Sequence, residues 1–106
     1  MPTNAEVAAA FARAAPNDTR NENLIYRADD QAIYSYGNHW PLAVHDYESG
    51  YALLNGERRS VTTSRHATLV ANALSYENIA FKSVSMKEVR DVIDARSNQN
   101  RNAAGN

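Results

Sequence analysis

The chain has 106 residues, 43% of them hydrophobic and 22% charged, with a formal net charge of −1. That is enough for one packed core, and it excludes a polyanion binder that works through a global positive field, so any nucleic-acid contact must come from a local patch. There is no cysteine, which removes disulfides, thiolate catalysis and cysteine-type zinc sites and fits a reducing compartment. No apolar run approaches the roughly 20 residues that a membrane-spanning helix needs. Glu6 and Arg13 interrupt the alanine-rich N-terminal stretch, and no basic region precedes it as in a signal peptide. The expectation is a soluble cytoplasmic protein without membrane contact.

Residues 5–15 read as a helix, because alanine dominates and Val7 and Phe11 lie four apart on one face. Thr3-Asn4-Ala5-Glu6 fits a capping box, and the polar run after Pro16 ends the helix. Its narrow alanine face predicts light docking, and suits a homodimer as well as a core. Leu24–Arg27 and Ala32–Tyr36 follow as strands, joined by an Ala28-Asp29-Asp30 turn. His39 to His45 reads as a third strand with Trp40, Leu42 and Val44 on one face and His39 and His45 on the other. Pro41 predicts that this strand lies at an edge. Tyr51–Leu54, Asn55-Gly56 and Glu57–Val61 read as a hairpin with a type I′ turn. A middle helix is predicted from about Arg65 to Leu74, a short strand over 79–84, and a last helix from Met86 to Arg96 that opens on a second capping box, Ser85–Glu88. The fold class that follows is α+β, a small antiparallel meander with about three helices packed on one face. Residues 1–96 form this single domain, and 97–106, rich in Asn, Gln, Arg, Ala and Gly, are expected to be a disordered polar tail.

The segment Ser60-Val61-Thr62-Thr63-Ser64-Arg65-His66 is the strongest chemical lead. It feeds the middle helix, which lacks the first-turn carboxylate of the other two and instead meets Arg65 and His66. Thr63 or Ser64 is a suitable N-cap, and capping alone explains the hydroxyls. The functional alternative is a phosphate or carboxylate site made of backbone amides, hydroxyls and Arg65. No glycine-rich loop precedes it and no Walker-type lysine follows, so it is no nucleotide P-loop. His66, near a helix N-terminus, is expected to be neutral. A metal site would need His39 and His66 to converge with a carboxylate such as Glu57 or Asp46, and no spacing demands it. A structural role is expected for each histidine, and no metal or cofactor. Ser60, Thr62, Thr63 and Ser64 lie near His66, yet no third group and no nucleophile elbow accompany them. Tyr34 and Tyr36 on one strand face, with Tyr26, Trp40 and Tyr51 on neighbours and Arg58, Arg59 and Arg65 following, also suit base stacking, although most of these aromatics are expected in the core.

Ser35-Tyr36-Gly37-Asn38-His39-Trp40-Pro41-Leu42-Ala43, followed by Asn55-Gly56 and Ser60-Val61-Thr62-Thr63-Ser64-Arg65-His66, resembles a family of small bacteriophage and prophage proteins of unassigned function. The likeness covers roughly residues 23–70. Arg59 stands where that family's pattern has an aromatic or other bulky residue. The resemblance supplies no activity, but implies a viral origin and a host-cell cytoplasmic setting. The expected function is therefore a small, phage-type, non-enzymatic protein that binds a host component: nucleic acid, a nucleotide or another phosphate-bearing ligand, or a host protein. Interference with a host process or an antiviral defence is what the resemblance adds. The expected binding surface is His39, Arg58, Thr62, Thr63, Ser64, Arg65 and His66. The alternatives are a small hydrolase with His39 and His66 as acid and base, and a structural or virion-associated protein.

Overall fold

A computed structural model of the chain describes residues 1–37 and 40–105, with side chains as far as Gln99. The elements are α1 (Asn4–Ala12), β1 (Thr19–Arg20), β2 (Leu24–Arg27), β3 (Ala32–Ser35), β4 (Trp40–Asp46), β5 (Tyr51–Asn55), α2 (Val61–Tyr76), β6 (Phe81–Val84) and α3 (Met86–Gly105). The strands form one six-stranded sheet in sequence order. Neighbours are antiparallel through β5, and β6 returns parallel to β5 after the α2 crossover. The fold is α+β, as the sequence predicts.

The helices do not share one face. The buried residues alternate strictly along β3: Ala32 and Tyr34 join Val89 and Ile93 of α3, whereas Ile33 joins the cluster of α1 and α2. Leu53 likewise faces α3, between Ala52 and Leu54 that face α1 and α2. Strands buried on both sides need helices on both sides. Light docking is also corrected for α1. Val7, Ala8 and Phe11 are wholly buried, because alanine lets α1 approach the sheet and α2 closely. The Thr3–Glu6 capping box closes its N-terminus as expected.

Pro41 does not mark an edge, since β4 lies between β3 and β5. The register with β3 slips between Ile33↔Ala43 and Tyr34↔Pro41, which leaves Leu42 as an extra residue in a β-bulge. The ladder with β5 starts only at Ala43↔Leu54, past the proline, and the buried Asn55 side chain donates to the Pro41 carbonyl at 2.8 Å. The bulge also changes the facing of β4. Leu42 and Ala43 both join the α1–α2 cluster, Val44 turns to α3, and His45 joins the Trp40 and Leu42 side instead of opposing it.

The Asn55-Gly56 hairpin is absent, and Glu57–Ser60 form no return strand. Neither Asn55 nor Gly56 has the positive φ that a type I′ turn requires. Gly56 serves close approach instead: its N–H donates to Val84 O at 2.8 Å, and a Cβ there would stand 3.3 Å from that oxygen. The polar strand β1 was hidden in the run that ends α1. Helix α3 continues to Gly105 rather than stopping at Arg96. Arg96 donates to the carbonyls of Asp30 and His45, and Ser97 Oγ donates to the Asp30 carboxylate at 3.1 Å. Ser97 is thus anchored to the domain, which corrects the expected boundary at residue 96.

Phe11 is fully buried and packs against both Tyr26 and His45. Phe11→Ala is expected to cost about 3–5 kcal/mol of stability, read as a lower urea midpoint. A loss under about 1 kcal/mol would mean that α1 docks lightly after all.

Candidate functional site

Helix α2 starts four residues before the predicted Arg65, with Ser60 rather than Thr63 or Ser64 as its N-cap. Ser60 Oγ accepts from the Thr63 N–H at 3.1 Å, and Thr63 Oγ1 accepts from the Ser60 N–H at 2.9 Å. Thr63 therefore takes the place that Glu holds in most capping boxes, which explains the missing first-turn carboxylate. Thr63 is 1% exposed and spent on the cap. The Thr63 amide is therefore not open to an anion.

What the earlier start does is set Thr62, Arg65, His66 and Leu69 along one stripe of α2. This stripe faces Thr3, Asn4 and Ala5 at the start of α1, together with Asn23, across an open cleft of about 580 Å³. The far wall is held by amide side chains. Asn21 Nδ2 donates to Asn4 Oδ1 at 2.8 Å and to Pro2 O at 3.1 Å, and Asn21 Oδ1 accepts from the backbone of Asn23 and Leu24. On the near wall, Thr62 and Arg65 are exposed, and their side chains make no hydrogen bond or ion pair among the described residues.

His66 forms the floor. It is 6% exposed, and its Nδ1 shares a 2.8 Å hydrogen bond with Ser35 Oγ. The half-exposed Tyr36 ring lies beside it, centroids 6.0 Å apart. A serine–histidine bond of this length would suit a nucleophile and its base. Ser35, however, is fully buried, so its hydroxyl is shielded from substrate and serves to orient the imidazole. Burial pushes His66 toward the neutral form. The direction is the expected one, but the cause is not the helix dipole, because His66 lies beyond the first turn of α2 where that effect is concentrated.

Thus Thr62, Arg65 and His66 of the predicted set come together. Thr63 is withdrawn into the cap, and Ser64 does not line the cleft. Arg58 lies elsewhere, its Nη1 donating to Asn55 O at 2.8 Å. Arg59 sits over the Trp40 ring at 5.8 Å. His39 falls outside the described residues, and with it the question of its meeting His66. Among the described residues, no group of three or more His, Asp or Glu side chains is placed to hold a metal. Sequence reading missed Thr3, Asn4 and Asn23. Their one signal was the recurrence of Asn at 4, 21 and 23, which reads equally well as a helix stop.

The aromatic sheet surface is not formed. Tyr26 and Tyr34 are buried on opposite faces, with hydroxyls bonded to Ala15 O and the Asp30 carboxylate. Tyr36 lies past the end of β3 with φ 57. His45 is structural: its Nε2–H donates to Phe11 O at 2.6 Å and its ring lies 4.5 Å from Phe11. Burial, aided by the nearby Arg96, holds it neutral although the Phe11 carbonyl opposes this. No family model matches the chain, and no curated protein or solved structure matches it.

Both imidazoles have folded pKa values below the ordinary 6.5. On acidification the unfolded chain takes up protons first, so their contribution is complete above about pH 6.5 and is lost as pH falls below it. The melting temperature should be flat near pH 7.5 and fall between pH 6.5 and 5, with a shallower fall in His66→Gln. A wild-type curve flat to pH 5 would contradict this.

Proposed function

We propose that the chain is a small, phage-type, non-enzymatic binding protein, and that the cleft between α1 and α2 takes a phosphate-bearing group of a host nucleic acid or nucleotide. The observation that carries this reading is Arg65. Its guanidinium lies on the cleft wall without an acceptor among the described residues, one helical turn from the equally unengaged Thr62 hydroxyl. Arginine matches the planar, bidentate geometry of phosphate oxygens, and a threonine hydroxyl adds a donor. His66 lies at the floor of the cleft, and the half-exposed Tyr36 ring, tilted by 46° to the imidazole, stands beside it as an aromatic surface that a base can meet. The net charge of −1 favours recognition by this local set over a diffuse field. The host setting, and interference with a host process, rest on the sequence resemblance to small phage proteins alone.

The reading is tested by thermal shift with inorganic phosphate, nucleotides and short single- and double-stranded DNA and RNA at low and high salt. A ligand present at 100 times its Kd stabilises the native state by roughly 2.7 kcal/mol, a shift of several degrees in a domain of this size. The expected result is a shift that weakens with salt and is lost in Arg65→Ala. No shift with any probe, or one unchanged in Arg65→Ala, would remove the cleft as a phosphate site.

A further inference from the structure

The sheet ends on one side in β1, only two residues long, and on the other in β6, which is paired with β5 alone. The hydrogen bonds fix which groups β6 leaves over. Ala52 N–H donates to Ala80 O and Gly56 N–H to Val84 O, with Ala52↔Phe81 and Leu54↔Ser83 in register. In a parallel ladder this turns the main-chain groups of residues 80, 82 and 84 toward β5. The N–H and C=O of Phe81 and Ser83 therefore point away from the sheet, two donors and two acceptors spaced for one more strand.

Between them stands Lys82. It is exposed and lies on the face of the sheet that carries α3, its Nζ 5.1 Å from the Tyr51 ring centroid, and it has no acidic partner among the described residues. Its position discriminates between occupants. A second copy can use all four outward groups only by pairing Phe81 with Ser83 antiparallel, and that register sets Lys82 directly opposite Lys82. Like charges facing each other across a strand pair are destabilising. Registers that shift by one pair lose half of the hydrogen bonds. The edge is thus less suited to its own copy than to a strand bearing a carboxylate at the middle position.

We propose that β6 is a docking edge for an extended segment of another protein, which adds antiparallel to Phe81 and Ser83 and places an Asp or Glu opposite Lys82. Main-chain bonds supply the attachment and the carboxylate–ammonium pair, flanked by Tyr51, supplies the choice of sequence. This surface does not depend on the α1–α2 cleft, and an Arg65→Ala substitution leaves it intact.

The probe is a monomeric synthetic peptide, Thr-Thr-Val-Glu-Val-Thr-Thr, set against the same peptide with Lys at its centre. Each is titrated to millimolar concentration into the full chain while amide shifts and hydrogen exchange are followed by NMR. The expected result is slowed exchange at the Phe81 and Ser83 amides, with the Glu peptide binding about tenfold more tightly than the Lys peptide. Lys82→Glu should reverse that preference. Equal binding of the two peptides, no protection of the two amides, or protection already present in the protein alone through a concentration-dependent dimer would each overturn the proposal. The first two outcomes would leave Lys82 as a guard of the edge and nothing more.

Discussion

The bulge at Leu42 is the constraint on which the rest of this structure depends. Without it, β4 would present Trp40, Leu42 and Val44 to one side, and His45 would oppose them. With it, Leu42 and Ala43 stay against α1 and α2, Val44 turns to Val89 of α3, and His45 reaches the Phe11 carbonyl. One inserted residue thereby supplies a central strand with an apolar surface for both helical layers. Two side-chain contacts hold it: Asn55 donates to the carbonyl of Pro41 beside the bulge, and Arg96 donates to the carbonyl of His45 beyond it.

The site follows from that layering. Because α1 and α2 lie together on one face, the start of α1 and the first two turns of α2 meet over the end of β3, where Ser35 fixes His66. The Ser60–Thr63 box then sets how α2 begins, and so which residues look into the cleft. A helix starting at Arg65 would have offered the amides of a first turn that begins there to a ligand. One starting at Val61 offers Thr62 and Arg65 side chains instead. With the Thr63 amide taken by the cap, the side chains of Thr62 and Arg65 are what α2 turns toward the cleft.

How much was legible in the sequence depended on how local the cause was. The Thr3–Glu6 box, the strands at Leu24, Ala32 and Tyr51 and the apolar stripe of α2 follow from residues a few positions apart, and were read correctly. The Asn55-Gly56 turn misled because its local preference is overridden by β6, which pairs with β5 from 26 residues or more downstream and needs Gly56 for close approach. Pro41 misled for a similar reason, since the bulge and the Asn55 side chain that accommodate it come from tertiary contact. The facing of His45 was lost with the bulge, as a single inserted residue inverts every later position of a strand. Of the site, Arg65 and His66 were visible as chemistry, but the wall formed by Thr3, Asn4 and Asn23 joins two segments about 60 and about 40 positions away from them, which no periodicity reports.

The measurement that tests this account most directly is a set of side-chain NOEs from β4. The bulge predicts contacts from the His45 ring to the Phe11 ring and from the Val44 methyls to Val89. Contacts from the Val44 methyls to Phe11, with the His45 ring lying instead against α3, would show a regular β4 ladder and contradict it.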